Sequence, residues 1–167
     1  MSQQQPTAPP TIRREVDLDL TPDEAWDLLA DGERWPDWLS TEADVRVEAG
    51  AGGRLVDDEG VARRVAVDDV VHGHSVHFRW WPEDGRGGAS SVELVVVARP
   101  GGSRLRVTEV LTSISASAPV SPCASASASA SASASTGVGG SSTGRTWVVA
   151  LDRARRCAAA APVALRG

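Results

Sequence analysis

The sequence predicts an α+β fold: one curved antiparallel sheet of about seven strands wrapped around a long C-terminal helix, with two short helices after the first strand. Three observations carry this. An alternating strand near the N-terminus runs straight into a capped, amphipathic helix. A series of β-like segments follows, joined by turns so short that neighbours must be antiparallel. A long alanine- and arginine-rich helical pattern comes last, and a single antiparallel sheet needs such an element to cover its apolar face.

In "IRREVDLDL", Val16, Leu18 and Leu20 alternate with Glu15, Asp17 and Asp19, the pattern of a half-buried strand. The polar, proline-containing residues 1–11 before it read as a disordered tail. In "TPDEAWDLLADG", Thr21 suits the N-cap, Pro22 the first helical position and Glu24 a capping box. Trp26, Leu29 and Ala30 share one helical face, and Asp31-Gly32 ends the helix. "ERWPDWLS" predicts a further helical turn with Trp35 and Trp38 on one side. Strands are expected at 44–49, 53–58, 61–70, 75–82, 90–99 and 103–112.

Residues 113–144 differ in kind. They contain "ASASASASASAS" and "TGVGGSSTG", with too little apolar surface to offset ordering entropy, and read as a disordered insertion. "GRTWVVALDRARRCAAAAP" is the last helix, stopped by Pro162. Trp147, Leu151, Ala154 and Ala158 form its apolar stripe, while Arg153, Arg155 and Arg156 lie toward the other side. The chain thus reads as one domain over 12–161, interrupted once, with a tail at 162–167.

Composition excludes several functions. A net charge of −5 and a pI of about 5.2 argue against nucleic acid as the main partner. No run of 18 apolar residues is present, so no membrane partner is expected, and the N-terminus lacks a signal-peptide pattern, so a cytoplasmic location is expected. All 17 basic residues are arginine, and tyrosine is absent, which rules out Schiff-base lysine and tyrosine-acid chemistry. Cys123 and Cys157 are far apart and give little support for a disulfide or zinc site. His72, His74 and His77 cluster in "HGHSVH", but the glycine marks a turn and no fourth ligand has suitable spacing, so no metal is expected. "AGAGG" and "GRGG" do not open a helix after a strand, so neither is a phosphate loop, and no cofactor is expected.

Side-chain parity selects the candidate site residues. In "SVHFRWWP", Val76, Phe78 and Trp80 share the more apolar face, and His77, Arg79 and Trp81 share the other. Phe78 and Trp80 would stack on a flat ligand or simply fill the core. Glu109 shares a face with Leu105, Val107 and Leu111, and Asp69 shares one with Val65 and Val67. A carboxyl aimed into an apolar cavity would serve as base or ligand anchor and could accept the Trp80 indole N–H. The alternatives are a rim acid, an arginine pair, or a bulge that reverses the parity.

The same order of elements resembles the SRPBCC superfamily, also called START-like, whose fold is the helix-grip. Within it the chain is similar to bacterial relatives of the C-terminal domain of the heat-shock-protein-90 ATPase activator. The carriers are "REVDLDLTPDEAWDLLADGERWPDWL", "AGAGGRLVDDEG", "VHFRWWP" and "SSVELVVVARPGGSRLRVTEVL", covering about 12–112 and, more loosely, 145–161. The resemblance implies a small apolar or aromatic ligand held between sheet and C-terminal helix. Trp80, Phe78, Trp35, Trp38, Trp147 and Glu109 would line that space. It also admits a co-chaperone that binds an ATPase chaperone, and a polyketide cyclase or aromatase using Glu109 or Asp69 as base.

Overall fold

In the computed structural model, residues 8–112 and 142–160 are described. The elements are β1 (Thr11–Leu18), α1 (Pro22–Ala30), a 3-10 turn (Gly32–Arg34), α2 (Trp35–Trp38), β2 (Glu42–Val45), β3 (Gly52–Val56), β4 (Ala62–Val71), β5 (Ser75–Pro82), β6 (Ala89–Arg99), β7 (Gly102–Thr112) and α3 (Ser142–Ala160). This is the α+β helix-grip arrangement expected. Of the tail expected at 1–11, the insertion at 113–144 and the tail at 162–167, residues 1–7, 113–141 and 162–167 lie outside the described residues, while Thr11 already belongs to β1 and 142–144 to α3.

All seven strands form one antiparallel sheet in the order β1-β7-β6-β5-β4-β3-β2. β2 to β7 are a meander, and β1 adds beside β7, so β1 and β2 are the two edges. The chain must therefore cross from one edge to the other after β1, and α1, the 3-10 turn and α2 make that crossing over the inner face. α1 packs on β6 and β7, α2 on β2, and α3 on β1 and α2. The core lies between these helices and the sheet.

The capping box at α1 forms as the sequence dictates. The Glu24 amide donates to Thr21 Oγ1 (3.3 Å), and the Thr21 amide donates to Glu24 Oε2 (2.8 Å). The other end of α1 departs from expectation. Gly32 does not adopt a positive φ; it is required because a Cβ there would sit 1.8 Å from the Val45 carbonyl oxygen. Gly32→Ala should accordingly destabilise the fold by about 1–3 kcal/mol, read as a lower urea midpoint, because backbone and not a flexible side chain must yield.

The outer face of the sheet is polar. Asp17 faces Arg104 and Glu15 faces Arg106 across β1 and β7, and both pairs are ion pairs at 2.7 Å. Hydrogen bonds from Arg104, then from Arg99, hold the Asp17 carboxyl down to about 2. A depressed carboxyl contributes stability that is fully present above its unfolded value of about 4 and is lost as pH falls through about 2. Asp17→Asn should therefore melt below the parent protein at pH 6, with the gap closing as the pH is lowered toward 2. A pH-independent gap would refute this assignment.

Register corrects one sequence expectation. β4 carries a bulge between Val67 and Asp69: Val67 pairs with Phe78, and Asp69 pairs with His77. The extra residue, Asp68, resets the alternation, so Asp69 points outward beside exposed His77 instead of inward with Val65 and Val67. Asp68 turns outward as well and takes a bidentate bond from Arg79 (2.7–3.0 Å), which lowers its carboxyl below the usual range. Asp69 is thus removed from the interior as an anchor or base.

Candidate functional site

Glu109 is the centre of the interior. It is fully buried, on β7, in the cross-strand row Phe78–Val92–Glu109. Trp80 lies one row along, opposite Ser90 of β6. Two strand spacings separate β5 from β7, close to 10 Å. The small, buried Ser90 leaves the Trp80 ring room to lean across β6, and its Nε1 donates to Glu109 Oε1 at 3.0 Å. From the helix side, Trp147 Nε1 donates to Glu109 Oε2 at 2.5 Å. Each oxygen of a buried carboxyl thus has a donor, and each buried indole N–H has an acceptor, as low-dielectric burial requires.

The rings form a continuous series. Trp35 meets Phe78 at 5.4 Å between centroids, Phe78 meets Trp80 edge-on at 5.8 Å, and Trp80 meets Trp147 at 5.4 Å with planes 31° apart. All four rings have no solvent exposure. The hollow expected between sheet and helix is, at Glu109, occupied by Trp147.

Trp35 and Trp38 also close α1. Their Nε1 atoms donate to the carbonyls of Leu29 (3.0 Å) and Leu28 (3.2 Å), in the last turn of that helix, where carbonyls lack intrahelical donors. Trp38 is therefore brought to the core, with its polar edge committed to the helix end. Trp81 is half-buried at the strand end, which answers the placement of two adjacent indoles: one is core and the other is rim.

A second buried group was not anticipated. Arg63 shares strand parity with Val65 and Val67, points inward, and is 8% exposed. Its guanidinium sits 4.9 Å from the Trp80 ring centroid, and its Nε donates to Asp57 Oδ2 at 2.8 Å. Asp57, also fully buried, uses Oδ1 to accept the amides of Glu59 and Val61, which shapes the β3–β4 turn. Next to it, Asp58 pairs with Arg153 of α3 at 2.5 Å, and Arg153 also donates to the Ser40 carbonyl at 3.4 Å. Arg153 is therefore a docking contact of α3, not part of a solvated face. The signal available in the sequence was the parity of Arg63. Nothing local indicated Asp57, because only the folded turn turns its carboxyl inward.

The histidines do not converge. His72 lies edge-on to Trp26 at 5.6 Å, His74 is exposed, and His77 bonds Ser91 Oγ at 2.8 Å on the outer face, opposite Glu109. Cys157 is a free thiol whose Sγ lies 3.4 Å from the Asp37 carbonyl. No helix among the described residues is long and apolar enough to cross a membrane.

With this geometry the relatives can be read. Residues 9–134 match the sequence profile of the family described as polyketide cyclase / dehydrase and lipid transport. The chain belongs to this family. Its fold is shared by DynU16, a protein in the dynemicin biosynthetic locus, at a TM-score of 0.61 and 19% identity over 87% of this chain. The chain spans only 46% of DynU16. MLL2253 from Mesorhizobium loti superposes at 0.54 with 19% identity, covering 62% of this chain and 77% of its own. BH1534 from Bacillus halodurans does so at 0.51 with 22% identity, covering 62% and 70%. The chain matches none of the curated protein sequences. The family's fold is what sets Glu109, Trp80 and Trp147 on facing elements.

Proposed function

We propose that this protein binds a small apolar or aromatic molecule between its sheet and α3, against Trp80, Phe78 and Trp35, with Glu109 as the polar anchor. The observation that carries this reading is Glu109 itself. A core selected for stability alone gains nothing from a carboxyl at that place, because an apolar side chain of similar volume avoids the desolvation cost. A carboxyl set among flat rings orients a ligand, and a site of apolar walls with one or two placed polar groups is the usual form of a small-molecule pocket. The family description, which names polyketide cyclase / dehydrase and lipid transport, supports the same class of ligand.

Because these residues are sealed from water, entry requires α3 to withdraw. Half of its buried face is alanine (Ala150, Ala154 and Ala158, beside Thr146, Trp147 and Leu151), so Trp147 and Leu151 supply most of the apolar burial that holds it. Titration of the full chain with a long-chain fatty acid, an anthraquinone and a naphthalene should show saturable binding of at least one class. At a hundredfold excess over Kd the stabilisation is about 2.7 kcal/mol, visible as a raised melting temperature. No shift and no heat with any of them would overturn the reading.

A second reading, catalysis of a cyclisation or dehydration with Glu109 as base, is favoured by the acceptor capacity that each Glu109 oxygen retains beyond its one indole bond. Glu109→Gln with ligand binding kept and turnover lost would support it, and unchanged turnover would exclude it. The chaperone-partner reading needs no interior ligand, and a pull-down with the chaperone tests it separately.

A further inference from the structure

We infer that the ring position of Trp147 is itself a ligand subsite, that Trp147 is its built-in occupant, and that the group it accepts from outside is a flat, neutral, indole-sized ring carrying one N–H or O–H donor. The inference rests on the ligand-binding reading and specifies it. Trp147 is the one aromatic side chain that the described part of α3 inserts; its neighbours on the buried face are Thr146, Ala150, Leu151, Ala154 and Ala158. It makes two contacts that any donor-bearing flat ring could reproduce: a face against Trp80 (5.4 Å, 31°) and a single N–H to Glu109 Oε2 (2.5 Å). Trp80 and Glu109 hold each other independently of α3, through Oε1, so the half-site they form survives when Trp147 leaves. Beyond the indole, α3 is fastened by Leu151, by the small side chains of Ala150, Ala154 and Ala158, and by Arg153 at Asp58 and Ser40. The subsite disfavours an anion, because Glu109 is its acceptor and the buried cation beside Trp80, Arg63, already faces Asp57.

Ligand and helix therefore compete for one position. The test uses the full chain with Trp147→Ala, titrated calorimetrically with indole and with 1-methylindole, which keeps the ring and lacks the donor. The variant should take up one indole per chain, should bind 1-methylindole about tenfold more weakly, and should bind indole at least about tenfold more tightly than the parent protein. A folded Trp147→Ala protein that ignores indole, or that binds the two rings equally, overturns the inference. If Trp147→Ala does not fold, Trp147→Phe keeps a ring and removes the donor; indole should then bind about tenfold more tightly than to the parent, and equal affinity overturns the inference. The two proposals fail differently. A parent protein that binds no ligand overturns both, even where Trp147→Ala takes up indole, because a truncated core ring leaves a hole that its own ring fills. A parent ligand whose affinity is the same in both Trp147 variants keeps the proposed function and overturns the subsite.

Discussion

Trp80→Ala should cost about 5 kcal/mol or more, enough to unfold much of the protein at 37 °C. The ring is fully buried, touches Phe78 and Trp147, and lies under the Arg63 guanidinium. Truncating such a ring costs about 3–5 kcal/mol through lost burial and the cavity left behind. Glu109 also loses the donor on Oε1, and an unsatisfied buried acceptor adds about 1–3 kcal/mol. Domains of this kind have about 5–15 kcal/mol in total. Trp80→Phe separates the two contributions: it keeps most of the ring and loses the N–H, so its cost should be about 1–3 kcal/mol. Chemical denaturation reads both. A cost under 1 kcal/mol for Trp80→Ala would mean that the ring is not seated between sheet and helix.

The second large effect is expected at Arg63→Met. The pair with Asp57 is buried on both sides, at 9% and 0% side-chain exposure, so removing the cation leaves an uncompensated interior carboxylate. Breaking such a pair costs about 3–5 kcal/mol. Adding Asp57→Asn to Arg63→Met should restore a good part of that loss, because asparagine removes the charge while its oxygen can still accept the Glu59 and Val61 amides. The loss should be nearly independent of salt, in contrast to the exposed pairs of Asp17 and Glu15 with Arg104 and Arg106. A double variant no more stable than Arg63→Met would show that Asp57 acts only in shaping the turn.

How far the sequence reaches depends on the range of the interaction involved. Local rules act within a few residues: the Thr21–Glu24 capping box, the period-two alternation of β5 to β7, and the short turns that force an antiparallel meander. Parity alone was enough to send Phe78, Trp80 and Glu109 to one side, and all three are buried there. It failed at Asp69, where a single bulged residue reverses everything beyond it on the strand, because a side-chain period of two is undone by one insertion.

By itself, then, the sequence determined the element order, the inner faces of β1, β5 and β7 and of β4 up to the bulge, and the presence of Glu109 among inward-facing apolar residues. Only tertiary structure decided that Trp147 would meet that carboxyl from 38 residues away in sequence, that Arg63 would find Asp57, and that Gly32 would be needed beside the Val45 carbonyl. These are contacts between elements whose separation along the chain carries no period to read. Their geometry comes into being when the sheet curves and the helices settle on it, and desolvation then leaves each buried polar group with the partner that the packing happens to bring within reach.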